Sequence, residues 1–377
     1  MKCPECGTDR VPAGSRFCPA CGAQVSEPAG PGAHVSVAQD VGRVAGGRVT
    51  GVEVGQVTGD VTVESTVNQI EATLVQGDYV SRDVITNNIL VLDDPRALDE
   101  IVRRLVTVQG LDQVPLQRLG ARAAPKHVRD QIAEVMAAQS EVAARGVRAT
   151  PQALYELGRL AAYRRDYDAA LGYFRQATQA DSEYTDAFKA IVWLQQSRAM
   201  DDIRTQDYDA ATGKLTDARA AAMHTDPLDP EALALRGYVA KSLAQVAEAR
   251  GDQEGRRKYY QEAARFFEHV VRLEPDDANA HNGLGNVAYA LGDLEAAIAA
   301  YNRAIELVPR YTAAHHDLAL AYEGRMQADP AHADRWCQKA LRAWQRAYEL
   351  APDDPGFSAD AVLAIGRRIS WLNQHCS

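Results

Sequence analysis

Residues 278–311 read ANAHNGLGNVAYALGDLEAAIAAYNRAIELVPRY, and this stretch decides the fold. Small and large apolar residues recur in it at the spacing of two helices joined by a short turn: Leu284, Gly285, Ala288, Ala297, Tyr301, Ala304 and Pro309. Small residues let two helices approach closely, and large ones fill the space between neighbouring pairs. The stretch therefore predicts a helix–turn–helix unit that buries its apolar face by stacking on further units.

The same pattern recurs along residues 151–357, which predicts an array of about five units. They start at 151 and near 185, 230, 278 and 312, and three of them carry insertions between their helices. This pattern resembles the tetratricopeptide-repeat (TPR) family over more than half of the chain. The resemblance implies a helical solenoid whose concave surface, lined by the first helix of each repeat, grips a peptide of a partner protein.

Mapping by repeat position gives the residues that the resemblance places on the inner face: Tyr155, Arg159, Tyr163, Lys189, Trp193, Tyr238, Lys241, Asn279, Asn282, Asn286, Tyr289 and His316. Aromatic, amide and cationic side chains suit the binding of backbone amides and a carboxylate. We therefore expect an acidic or C-terminal peptide as ligand. The alternative is that the aromatic residues are core residues between helices. The three asparagines would need partners if buried, so we expect them on a solvated or ligand-facing surface.

The first 25 residues contain two Cys-x-x-Cys pairs, formed by Cys3, Cys6, Cys18 and Cys21. Four thiolates at this spacing suit tetrahedral Zn²⁺, and so short a segment needs the metal for its stability. The motif resembles the short zinc ribbons at the N-termini of many bacterial proteins, which implies one structural Zn²⁺. A disulfide framework is the alternative. Cys337 and Cys376 lie far from this cluster, and we expect them to be ordinary side chains.

Residues 26–33 are rich in Pro and Gly and predict a linker, and residues 34–92 alternate valines with glycines. The latter texture predicts short strands, either as a small β-solenoid or as a β-layer completed by another copy of the chain. A disordered connector is the alternative. The stretch from Gly77 to Asn88 resembles Gly-Asp-rich β-repeats of some bacterial defence-type multidomain proteins, which implies a sensor or adaptor subunit.

Helical periodicity returns over residues 93–150, which predicts helices that cap the N-terminal end of the array. Thr150 and Pro151 form an N-cap and N1 pair for the next helix. Residues 358–377 predict a C-terminal capping helix. The expected fold class is thus a multidomain, mainly α protein, a TPR-like helical solenoid preceded by a zinc ribbon and a β-solenoid-like segment.

Motifs for chemistry are weak, and we expect no enzyme. His315, His316 and Asp317 share no helix face suited to a metal, and Thr212-Gly213-Lys214 lacks the preceding glycine of a phosphate-binding loop. The chain is expected to be a protein–protein interaction adaptor in the cytoplasm, because no stretch approaches the roughly 18 to 20 apolar residues that span a bilayer.

A formal net charge of -10 disfavours binding to nucleic-acid phosphates. Nucleic-acid binding through the zinc ribbon, where Lys2, Arg10 and Arg16 lie, is nevertheless kept as an alternative function. A sensor or adaptor subunit of a bacterial defence-type assembly is the other alternative.

Overall fold

The computed structural model describes residues 95–111, 114, 124–144, 146, 148–354 and 356–376. The predicted zinc ribbon, linker and β-repeat segment lie outside these residues. The described residues divide into two units, one formed by those before residue 150 apart from 114, and the other by residue 114 and everything from Thr150 onwards. No strand lies among the described residues, so the prediction of a mainly helical fold is confirmed for them.

The first unit contains helices α1 (Pro95–Val108) and α2 (Lys126–Ala144). Each helix buries one apolar face, which includes Ile101 and Leu105 on α1 and Ile132 on α2. Both helices form within the stretch where periodicity predicts them. Their role as a cap on the array stays a prediction.

The second unit contains five helical hairpins between residues 151 and 350, a range that the structure describes throughout. The hairpins are α3 (Pro151–Tyr163) with α4 (Tyr167–Ala180), α5 (Thr185–Arg204) with α6 (Tyr208–Ala222), α7 (Pro230–Ala249) with α8 (Gln253–Leu273), α9 (Ala278–Leu291) with α10 (Leu294–Leu307), and α11 (Thr312–Ala328) with α12 (Ala333–Leu350). Helix α13 (Ala359–His375) then packs against α12. Short 3-10 turns lie at Pro330–His332 and Ala351–Asp353. None of the described helices combines the length and the apolar character that crossing a bilayer requires.

In the first, third and fourth hairpins, a glycine of the first helix lies against an aromatic ring of the second helix. A Cβ atom added to Gly158 would lie 2.4 Å from the ring of Phe174, and one added to Gly285 would lie 2.4 Å from the ring of Tyr301. Both rings are almost fully buried, with 0% and 1% of their surface exposed. The glycines of the sequence pattern are therefore required, because any side chain there would push the second helix of the hairpin away.

Aspartates start most second helices, directly after a residue with a left-handed backbone. Asp166, Asp207, Asp252 and Asp293 each accept a hydrogen bond from a backbone N–H in the first turn of the helix that follows. The preceding residue has a φ of 64° at Arg165 and Gln206, 75° at Gly251 and 87° at Gly292. Glycine adopts this conformation without steric cost, whereas a residue with a Cβ atom does not.

We predict that Gln206→Gly raises the free energy of unfolding by about 0.5–1 kcal/mol, because it removes a Cβ atom from a left-handed position. The matched reverse change, Gly292→Gln, is expected to lower the free energy of unfolding by about 1 kcal/mol. Urea unfolding followed by circular dichroism measures both values. Equal stability of the two variants would contradict the strain argument.

Helix α13 is joined to the last hairpin by a disulfide and by an ion pair between the buried Glu323 and the half-exposed Arg368. Glu323 on α11 is 6% exposed and accepts hydrogen bonds from the Trp344 indole and from the Arg368 Nε atom, both at 2.7 Å. Cys337 on α12 and Cys376, which follows α13, form a disulfide with a Cα–Cα distance of 5.6 Å. The expectation that these two cysteines are ordinary side chains is therefore wrong.

We predict that Glu323→Gln lowers the free energy of unfolding by about 1–3 kcal/mol, because it removes the charge of a buried carboxylate that accepts hydrogen bonds from Trp344 and from the half-exposed Arg368. The matched control is Glu349→Gln, which breaks the exposed Arg346–Glu349 pair at 2.7 Å on α12. That change is expected to cost at most about 0.5 kcal/mol. Thermal unfolding of both variants tests the difference, and similar losses would contradict it.

Candidate functional site

The first helices of the last three hairpins, α7, α9 and α11, line an open cavity of about 680 Å³ together with α8 and α10. We call it the groove cavity. Its lining residues are Lys241, Gln245, Glu248, Arg256, Tyr260, Asn286, Tyr289, Ala290, Leu294, Asp317 and Gly324. Most of these side chains are polar, so the cavity suits a ligand with hydrogen-bonding groups.

Lys241 is the unpaired cation of the groove cavity. Among the described residues, its Nζ atom makes no hydrogen bond and no ion pair, and it lies 5.6 Å from the centre of the Tyr238 ring. Burial lowers the pKa of Lys241, and the charge of Asp317 opposes that shift. Lys241 is half-buried and lines the open cavity without a bonded anion among the described residues, so the site can receive a negative charge.

Two amide side chains beside Lys241 also have free hydrogen-bonding capacity. Gln245 lies one turn further along α7, and its Oε1 atom is buried with no hydrogen-bond partner. The Oδ1 atom of Asn286 accepts from the Tyr301 hydroxyl at 2.9 Å, and its Nδ2 atom has no partner within the described part of the chain. The Asn286 nitrogen thus offers one donor to a ligand, whereas the Gln245 oxygen is shielded from the cavity.

At one end of the groove cavity, the charged side chains are already paired with groups of the same chain. Arg256 lies 3.3 Å from Glu248, and its Nη2 atom donates to the carbonyl of Ala290. The hydroxyl of Tyr260 donates to Glu248 at 3.4 Å, and burial raises the pKa of Tyr260 to about 12. Because Arg256 has an intramolecular counterion, it competes weakly for a ligand carboxylate.

At the other end of the groove cavity, Asp317 is surrounded by polar side chains of α9 and α11. His316 Nδ1 lies 2.9 Å from Asp317 Oδ1, and Asn282 Nδ2 lies 3.5 Å from Asp317 Oδ2. Asn282 is 7% exposed, and its Oδ1 atom is buried without a partner. This end of the groove cavity is therefore acidic, whereas the unpartnered Asn282 oxygen is buried and does not line the cavity.

The expectation that the three asparagines share a solvated surface is wrong for Asn282, which is buried. Asn279 is exposed, and its Oδ1 atom accepts from the Tyr311 hydroxyl at 2.7 Å. Asn282 is buried because its side chain points from α9 towards α11, where it meets Asp317. Burial of an amide is tolerated there because one of its two polar atoms reaches a carboxylate.

The structure places six of the predicted residues at or beside the groove cavity. Lys241, Asn286 and Tyr289 line it, and Tyr289 is 38% exposed. Tyr238 lies next to Lys241, and Asn282 and His316 contact Asp317. Asn279 is on α9 near its start and does not line the cavity.

The predicted residues of α3 do not reach the groove cavity. Tyr155 packs against Phe174 and Tyr184, with ring centres 5.7 and 5.6 Å apart, and burial raises the pKa of Tyr155 to about 12. Arg159 is 9% exposed and donates to the carbonyl of Val114 at 3.0 Å. Tyr163 is half-buried, which raises the pKa of its hydroxyl.

On α5, Trp193 is half-buried and Lys189 is held by three carboxylates. The Lys189 Nζ atom lies 3.1 Å from Asp186, 3.2 Å from Asp229 and 2.7 Å from Glu231. Burial alone lowers the pKa of Lys189, but the hydrogen bonds to these acids outweigh it and raise the pKa. Lys189 therefore ties α5 to α7 and has little capacity left for a ligand.

Several residues of the groove cavity were missed by the sequence mapping. Gln245 and Glu248 lie on the last turns of α7, beyond the length of a standard first helix, because α7 has 20 residues. Arg256 and Tyr260 come from the second helix of the same hairpin. Gln245 could have been found from the sequence, because it follows Lys241 by four residues and so lies on the same helix face.

Comparison with known proteins gives a match to the TPR repeat family model over residues 285–324, from within α9 into α11. Photosystem I assembly protein Ycf3 of Prochlorococcus marinus (strain NATL2A) is 29% identical over 152 residues, which cover 38% of this chain and 81% of that protein. Ycf3 of Synechococcus sp. (strain CC9605) is 31% identical over 101 residues, which cover 25% of this chain and 58% of that protein.

Among solved structures, a thermophilic TPR protein of Thermus thermophilus overlaps with a TM-score of 0.42 and 22% identity, covering 60% of this chain and all of that one. A TM-score below 0.5 does not establish a shared overall shape. The match over residues 285–324 identifies a TPR repeat within the hairpin array, at the glycine and aromatic ring that close the fourth hairpin.

Proposed function

We propose that this chain is a non-enzymatic adaptor whose groove cavity binds an extended segment of a partner protein, with a carboxylate of that segment against Lys241. The observation that carries the proposal is the unpaired Lys241 cation. A carboxylate on Lys241 forms a charge-assisted hydrogen bond, which is among the stronger polar contacts in proteins. The ligand is therefore an acidic side chain or a C-terminus.

The Asn286 amide beside Lys241 suits the backbone of such a segment. Its Oδ1 atom already accepts from the Tyr301 hydroxyl, and its Nδ2 atom has no partner among the described residues. A backbone carbonyl of the bound segment supplies the acceptor that this Nδ2 atom lacks.

The acids of the groove cavity limit how much negative charge a ligand carries there. Glu248 and Asp317 flank the site, and Lys241 is the one cation of the lining that lacks an intramolecular anion within the described part of the chain. A run of acidic residues would therefore be repelled at both ends. We infer that one carboxylate enters the site, as in a free C-terminus or a single Asp or Glu.

An adaptor role is supported by the repeat family and by the relatives. The matched cyanobacterial proteins are named for the assembly of photosystem I, and TPR repeats mediate protein–protein interactions. We propose that the present chain likewise brings together subunits of a larger assembly, in the cytoplasm.

The N-terminal segments complete this proposal. Cys3, Cys6, Cys18 and Cys21 would hold one structural Zn²⁺ in a ribbon that adds a second contact. Residues 34–92 would form the β-rich segment through which copies of the chain associate. Both remain predictions from sequence.

We predict that Lys241→Met weakens peptide binding at least about tenfold, because it removes a charge-assisted hydrogen bond. The probes are heptapeptides selected from a random library for binding to the full chain. Each is then synthesised with a free and with an amidated C-terminus. Fluorescence anisotropy gives the affinities. The matched control is Lys258→Met, which removes an exposed lysine on α8 and is expected to leave the affinities unchanged.

The same variant separates binding from folding. Replacing a half-buried lysine that forms no ion pair among the described residues is expected to change the free energy of unfolding by less than about 0.5 kcal/mol. A variant that is equally stable yet binds less tightly is the expected result. Binding that is insensitive to Lys241→Met and to the state of the peptide carboxyl would refute the proposal. Retention of nucleic acid that high salt releases would favour the zinc-ribbon alternative.

A further inference from the structure

The disulfide between Cys337 and Cys376 joins two sites of unequal accessibility. Cys337 lies in α12 and is 3% exposed, whereas Cys376 follows the last turn of α13 and is half-buried. A small thiol therefore reaches the sulfur of Cys376 more easily than that of Cys337. This asymmetry decides which sulfur is attacked first in any exchange reaction.

Few other contacts hold the C-terminal half of α13. Of the 17 residues of α13, Ile365 and Leu372 are buried, and both belong to the apolar cluster that contains Cys337. Arg368 bonds Glu323 at the middle of the helix. Trp371, one turn later, is 39% exposed. Beyond Arg368, the attachment of α13 thus depends on Leu372, on the partly buried Ile369 and on the disulfide.

We propose that Cys337 and Cys376 form a thiol–disulfide exchange site that locks and unlocks the C-terminal helix in response to low-molecular-weight thiols and disulfides. The disulfide closes a loop between residues 39 apart in sequence, so its loss releases considerable chain entropy. The oxidised form holds α13 on α12. The reduced form lets the C-terminal turns of α13 open and uncovers the apolar cluster around Cys337.

The unlocking reaction balances with two molecules of a small thiol. The first, as its thiolate, attacks the sulfur of Cys376 and forms a mixed disulfide, while the sulfur of Cys337 leaves as a thiolate and takes up a proton. The second attacks the mixed disulfide, which releases the oxidised small molecule and leaves Cys376 as a thiol. Locking is the reverse, with the small-molecule disulfide as the oxidant.

Hydrogen exchange measured by mass spectrometry on the full-length chain tests the switch. The probes are reduced and oxidised glutathione at several fixed ratios, and peptide mass mapping after thiol alkylation gives the fraction of the Cys337–Cys376 bond. We expect this fraction to change across the glutathione ratios. Amides in the C-terminal turns of α13 are expected to exchange on the order of a hundredfold faster in the reduced form. Exchange in α3 is expected to stay the same.

The control is the variant Cys337→Ala/Cys376→Ala, treated with the same buffers. Its α13 amides are expected to exchange fast at every ratio, so any remaining response to glutathione would come from the four N-terminal cysteines. A Cys337–Cys376 disulfide that stays fully formed at all ratios would overturn the proposal and indicate a purely structural disulfide. Equal exchange of α13 in the oxidised and reduced forms, or cysteines that never pair, would also overturn it.

Discussion

The stacking of the array depends on aromatic rings that lie directly on glycine backbones. Phe267 shows this constraint most fully, because a Cβ atom on Gly237 in its own hairpin would lie 2.8 Å from its ring, and one on Gly283 in the next hairpin would lie 2.9 Å from it. One ring thus fixes the distance between the helices of a hairpin and the distance to the following hairpin. The groove cavity lies on the same three hairpins, so its shape depends on these contacts.

Ion pairs between neighbouring hairpins recur at equivalent positions along the helices. The side chain of Arg198 on α5 reaches Asp168 in the first turn of α4 at 2.8 Å, and Arg325 on α11 reaches Glu295 on α10 at 3.5 Å. Pairs with one exposed partner contribute little to stability, typically less than about 1 kcal/mol each. Their recurrence at equivalent places favours the correct register over shifted alternatives, because a shift of one residue separates every pair.

The helices were predictable from sequence because their signals are local. Thr150 was expected to cap a helix, and its hydroxyl accepts from the backbone N–H of Ala153 at 3.1 Å. Gly285 and Tyr301 of residues 278–311 likewise contact each other within one hairpin. Periodicity, caps and close helix packing all act over a few turns, and a single sequence contains them.

The candidate site was only partly predictable, because its character depends on which charges meet across hairpins. Lys189 and Lys241 look alike in sequence, and both occupy first helices. Lys189 is held by acids at the start of α7, whereas the position of Lys241 further along α7 leaves its ammonium without such a partner among the described residues. The pairing of Cys337 with Cys376 was missed for the same reason, since α13 must fold back on α12 before the two sulfurs meet.

The uneven use of cations explains why a chain with a net charge of -10 can present a site for an anion. Lys189 and Arg256 lie beside carboxylates of the same chain, which cancels their attraction for a ligand. Asp317 is near enough to oppose the lowering of the Lys241 pKa, yet it forms no bond with that ammonium. Lys241 therefore keeps its attraction for a ligand carboxylate, whereas the other two cations have lost most of theirs. The position of each cation relative to the acids of neighbouring hairpins, and not the net charge of the chain, decides where an anion can bind.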